Sequence, residues 1–145
     1  MLLDSNLILM DSSPVLGAAV TGPAVGLTSF LHPGSMEPVP VCAKVVGEDF
    51  AGGTSLTFTL TQSDSRDGPY ADVPGSAITV PLAELTVGKN IGWRFLPRGA
   101  RKPWLKMVAT PNGTFTAGKI FGAIVREEHQ PYGPGMHADK GAVQG

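Results

Sequence analysis

Between Leu85 and Arg126 the chain has no aspartate or glutamate, although Lys89, Arg94, Arg98, Arg101, Lys102, Lys106, Lys119 and Arg126 all fall there. The first 84 residues are short of the opposite sign: Lys44 and Arg66 stand against nine carboxylates, from Asp4 to Glu84. A formal net charge of −1 therefore hides an acidic portion followed by a basic one. Charge sorted in this way reports on partners more than on fold.

Other shortages narrow the class. Cys42 is the single cysteine, which excludes a disulfide framework and a cysteine-based zinc site. It lies in the apolar run Val39 to Val46 and is expected to be a buried structural thiol. No apolar stretch reaches the length needed to span a bilayer, and residues 1–10 lack the positive start and small-residue cleavage site of a signal peptide. The expectation is a soluble protein made in a cytoplasm, with no membrane partner. His32, His129 and His137 are scattered, so no metal is expected. Asp64, Asp67 and Asp72 lack the spacing of a calcium loop and are expected to cap turns. With no nucleophile elbow and no phosphate-binding glycine motif, neither a catalytic centre nor a cofactor is expected. Only 16% of the residues are charged, which suits a surface covered by neighbours.

Glycine (19) and proline (13) are plentiful and leave little room for long helices. Residues 7–10 read as a first strand or an anchoring arm. Residues 12–40 have no sustained period and read as an irregular arm that orders against something. Val41 to Val46 is β-prone. In residues 54–62, Leu56, Phe58 and Leu60 alternate with Ser55, Thr57, Thr59 and Thr61, the pattern of a half-buried strand. Further strands are expected at 77–80, at 91–96 with Ile91, Trp93 and Phe95 on one face, at 104–109 and at 120–125. Asn112-Gly113 marks a turn. Seven or eight short strands and no helix predict an all-β, antiparallel two-sheet sandwich over residues 1–126. Residues 127–145 are expected to form an extended C-terminal tail.

The order of several segments carries a resemblance. Met1-Leu-Leu-Asp-Ser-Asn-Leu-Ile opens the chain, and the alternating strand runs into Gln62-Ser-Asp. Ile78 to Leu85, Phe95-Leu-Pro-Arg-Gly99, Trp104-Leu-Lys-Met and Gly113-Thr-Phe-Thr-Ala-Gly118 follow in turn. Together they resemble the jelly-roll capsid cement (decoration) proteins of short-tailed phages, a family typified by that of a Bordetella phage. The resemblance implies a jelly-roll sandwich on the outer surface of a virion, reinforcing contacts between major capsid subunits. It implies no enzymatic activity and no metal. The tail after Val125 departs from the family's shorter pattern.

The candidate contact residues follow from charge and from the tail. Arg98, Arg101 and Lys102 crowd one loop, while Arg94 and Lys106 alternate outward from neighbouring strands, so the basic residues are expected to share one face. Tyr132 and Met136 are expected anchors in the tail. The partners in view are the major capsid protein and further copies of the chain, as a dimer or trimer on a symmetry axis. A carbohydrate- or receptor-binding module is the alternative, and it would need exposed aromatics such as Tyr70, Trp104 and Tyr132. A nucleic-acid binder through the basic stretch is the third reading. It is set aside because Trp93 alternates with core residues.

Overall fold

The structure is a computed structural model, and residues 7–27 and 39–125 are described. They form an antiparallel β-sandwich of two sheets. The strands are β1 (Ile8–Pro14), β2 (Val20–Thr21), β3 (Val25–Gly26), β4 (Val41–Ala51), β5 (Ser55–Ser63), β6 (Ala71–Asp72), β7 (Ile78–Pro81), β8 (Trp104–Asn112) and β9 (Ala117–Ile124). A 3₁₀ turn, Leu82–Glu84, follows β7.

One sheet has the order β1-β9-β4. Residues 90–96 extend it beyond β4 through bonds from Ile91 N to Ala43 O, Val41 N to Arg94 O and Leu96 N to Val39 O, each 2.9 Å. In the other sheet β2 and β3 both pair with β8, β8 pairs with β5, and β6 and β7 both pair with β5. Counting β2 with β3 and β6 with β7 as one position each leaves four positions per sheet. First lies beside last in one sheet, and the second position lies beside β8 in the other. That is the jelly-roll order, in which nested Greek keys bring the first and last strands into one sheet.

The alternation of β5 is realised fully: Leu56, Phe58 and Leu60 are inaccessible to solvent and the intervening threonines are half-buried. Facing them across the sandwich are Val41, Ala43 and Val45 of β4, Ile120 and Ile124 of β9, and Leu9 and Met10 of β1. Each large apolar side chain removed from water in this way contributes about 1.5–3 kcal/mol. The strand β4 runs further than its apolar start suggests. Gly47, at φ 77°, begins an irregularity after which pairing resumes at Ala51 with Ala117.

Two expectations need correction. Residues 12–40 are not irregular throughout: β1 extends to Pro14, and β2 and β3 lie along the outer edge of β8, with Val25 buried in the core. These are two-residue pairings separated by Gly22, Pro23 and Ala24, too short to leave a period in the sequence. Residues 91–96 also fail to alternate cleanly. Ile91, Trp93 and Leu96 are buried while Phe95 is half-buried, because the segment holds β4 by isolated bridges rather than a continuous ladder.

The outer face of the smaller sheet has an apolar patch of its own. Ile8, Ala123 and Cys42 form one cross-strand row, joined by Phe121 and Val125. Cys42 is only 3% exposed there, and its Sγ donates to Asn90 Oδ1 at 3.6 Å. Burial pushes the thiol pKa up, against a smaller lowering by Lys44.

Candidate interaction surface

The inward face of β5 ends in a polar residue. After Leu56, Phe58 and Leu60 the next inward position is Gln62, 8% exposed. Its carboxamide meets the backbone of the basic loop three times. Oε1 accepts from Arg101 N at 2.8 Å and from Lys102 N at 3.2 Å, and Nε2 donates to Gly99 O at 3.2 Å. A buried amide left without partners is costly, so the side chain and the loop hold each other. The loop is fixed elsewhere too. Ala100 N bonds Pro97 O at 3.0 Å, the Ala100 side chain is fully buried, and Gly99 lies so close to Pro74 that a Cβ there would stand 2.7 Å from the Pro74 carbonyl oxygen.

On this frame Arg98 and Arg101 are exposed, with Arg101 Nε donating to Arg98 O at 2.7 Å. The backbone that carries Arg101 is already held by Gln62 and does not need to be ordered first. Lys102 turns to Asp64 instead, Nζ to Oδ2 at 3.1 Å, an ion pair with both side chains substantially exposed. Lys106 projects from the outer face of β8 and lies over the ring of Tyr70, 4.4 Å from its centroid. In register, Lys106, Thr61 and Asp72 form one row across three strands. Burial and the Asp67 carboxylate push the Tyr70 phenol pKa up, against a lowering by Arg66.

Arg94 sits elsewhere. It is exposed on the segment that borders β4, in the smaller sheet, with its guanidinium carbon 6.0 Å from the Phe95 ring centroid. The basic residues therefore do not share one face. Lys106 belongs to the outer face of the larger sheet, Arg94 to the edge of the smaller one, and Arg98, Arg101 and Lys102 to the loop joining them. Alternation within a strand predicts in or out, but it cannot tell which sheet a strand joins.

The acidic turn beside this loop also differs from expectation. Ser65 N bonds Ser63 Oγ at 3.2 Å and Ser65 Oγ donates to Gly68 O at 2.8 Å, so the serine hydroxyls organise the turn. Asp64 faces Lys102. Tyr70 closes the turn by donating to Arg66 O at 2.7 Å. The loop and the turn meet at one end of the sandwich, where acidic and basic portions of the sequence are interleaved.

Trp104 is half-buried and lies across Gly26 of β3, where a Cβ would stand 2.8 Å from its ring. Trp93 is buried and meets Phe58 edge-on, with ring centroids 6.3 Å apart. Tyr132 and Met136 lie outside the described residues, as do the three histidines and Arg126. Among the described residues no group of three or more histidine, cysteine, aspartate or glutamate side chains is placed to hold a metal ion. None of their helices is long and apolar enough to cross a membrane. Gln62 is the residue that sequence reasoning passed over. Its one visible signal was a glutamine standing at the next inward position of a strictly alternating apolar strand.

No family model matches the chain, and no curated protein matches its sequence.

Proposed function

We propose that this protein is a capsid cement protein, a non-enzymatic jelly roll that binds the outside of a phage shell and reinforces contacts between major capsid subunits. The observation that carries the reading is where the resembling segments fall. The alternating stretch is β5, Ile78 to Leu85 is β7 with the turn after it, Trp104 to Met107 begins β8, and Gly113 to Gly118 leads into β9. Four of the resembling segments are thus framework strands and their turns, in jelly-roll order, while Phe95 to Gly99 falls in the stretch leading into the basic loop and residues 1–6 lie outside the described residues.

Mechanistically, each copy adds buried interface across a junction between shell subunits and raises the free energy needed to part them. Many copies act together, so modest affinity per copy suffices. The basic side chains orient the copy on an acidic surface more than they add affinity. Copies of the chain on a symmetry axis, as a dimer or trimer, are the expected assembly. The carbohydrate- or receptor-binding alternative has less support, because Trp104 is half-buried against Gly26 and Lys106 lies over one face of Tyr70, so neither ring is fully exposed.

The test is co-sedimentation of the purified chain with empty shells that lack it. Binding that saturates at a fixed number of copies per shell supports the reading. Absence of binding to mature shells at low salt refutes it.

A further inference from the structure

We propose that Arg98 and Arg101, held by the Gln62 carboxamide, form a pre-set docking point for a carboxylate-bearing segment of a partner protein. The inference rests on the cement reading for the partner's place on a shell, and it deepens that reading by naming the contact.

Three observations converge on it. The first is rigidity: Gln62 makes three hydrogen bonds to the loop backbone at Gly99, Arg101 and Lys102, and Ala100 is buried beneath. A partner that engages this loop does not have to order it, and that cost is removed from binding. The second is the division of labour among the cations. Lys102 is matched by Asp64 and Lys106 lies on Tyr70, while Arg98 and Arg101 are exposed on the same short turn. Guanidinium groups pair with carboxylates in a two-pronged geometry, so two arginines on a fixed turn suit a pair of acidic side chains.

The third observation selects the class of partner. Asp64, Asp67 and Asp72 belong to the turn and strand alongside, all exposed. A nucleic acid carries a charge at every phosphate and would run into these carboxylates as it tracked beyond the loop. A protein segment carries acidic groups only where they are needed and presents neutral or basic groups opposite Asp67 and Asp72.

The experiment uses the full chain and a fluorescein-labelled peptide with paired glutamates flanked by serine and glycine, with affinity read by anisotropy at low and moderate salt. The double substitution Arg98→Ala/Arg101→Ala is expected to weaken binding at least about tenfold. Lys44→Ala/Lys119→Ala removes the same charge elsewhere and is expected to stay near the parent. Equal losses in the two double variants would overturn the proposal, since net charge alone would then explain binding. Tighter binding of a double-stranded oligonucleotide than of the peptide at the same salt would overturn the assigned partner class.

Gln62→Met is expected to weaken the peptide and to speed amide hydrogen exchange at Arg101 and Lys102, leaving exchange in the paired centre of β5 and β8 unchanged. Unchanged affinity with faster exchange would overturn the positioning role. Should Gln62→Met not fold, Gln62→Glu keeps the acceptor for Arg101 N and Lys102 N and loses the donor to Gly99 O, and a smaller weakening is expected. If the Arg98/Arg101 variant binds and stabilises shells as the parent does, this docking point is wrong and the cement reading stands. If the parent binds the peptide but not shells, the reverse holds.

Discussion

The indole Nε1 of Trp93 donates to the carbonyl oxygen of Ser76 at 2.6 Å, inside the sandwich. Ser76 is 1% exposed, and its hydroxyl also meets the backbone of Leu60, accepting from the N–H at 3.1 Å and lying 3.3 Å from the carbonyl. One serine therefore ties the segment before β7 to β5 and to the residue through which 90–96 enters the core. Ser76→Ala leaves the buried Leu60 N–H without that partner, and a loss of about 1–3 kcal/mol is expected from chemical denaturation. A change within experimental error would mean that Leu60 is satisfied in another way.

Two glycines with positive φ separate strain from crowding. Gly118, at φ 134°, lies against Phe50, and a Cβ there would stand 2.4 Å from the ring. Phe50 in turn meets Phe115 edge-on, with centroids 5.0 Å apart. Gly118→Ala combines a disfavoured backbone with overpacking and is expected to cost about 2–5 kcal/mol. Gly75, at φ 75°, has nothing within 4 Å of such a Cβ, so Gly75→Ala is expected to cost only about 1–2 kcal/mol. Equal shifts in the denaturation midpoints would contradict this packing of Phe50.

The buried thiol of Cys42 makes stability depend on alkaline pH. Its pKa is raised above the ordinary 9.0 by burial, so the folded state favours the protonated form. Below that value both states hold the proton and the stabilisation is fully present. As pH rises above it the unfolded chain ionises first, and stability falls until the folded thiol titrates as well. Tyr70 is raised too and pulls in the same direction, so the comparison is between the parent and Cys42→Ala. The parent is expected to lose stability more steeply between pH 9 and 10, as followed by urea denaturation. Parallel slopes would show that the thiol titrates normally.

The ion pair between Lys102 and Asp64 offers an opposite sign on two readouts. Both side chains are substantially exposed, so Asp64→Asn is expected to change folding stability by less than about 1 kcal/mol. It frees Lys102 beside Arg101 and removes a neighbouring carboxylate, so binding of the paired-glutamate peptide is expected to strengthen. Weaker binding would show that Asp64 is part of the docking geometry and not a competitor.

The sandwich was legible wherever a strand buries one face. Leu56, Phe58 and Leu60 announce β5 because alternate side chains of a strand face alternate sides, and Cys42 was placed correctly by its apolar neighbours. The short strands β2 and β3 were not legible. Two residues leave no period, and their pairing is decided by β8, some eighty residues away in the chain. The surface was harder still. Arg94 and Lys106 both point outward as expected, yet they lie on different sheets, because the partner of each strand is a long-range fact. Gln62 reads locally as the polar end of a strand. Only the return of residues 99–102 to its side chain makes it the anchor of the basic loop.

The central claim is tested most directly by the thermal rupture of packaged particles with and without this protein, followed by release of dye-accessible DNA. The account predicts rupture at a higher temperature when the protein is bound, with the gain restored by adding purified chain to particles that lack it. Equal rupture temperatures with the protein bound at saturation would contradict a cementing role.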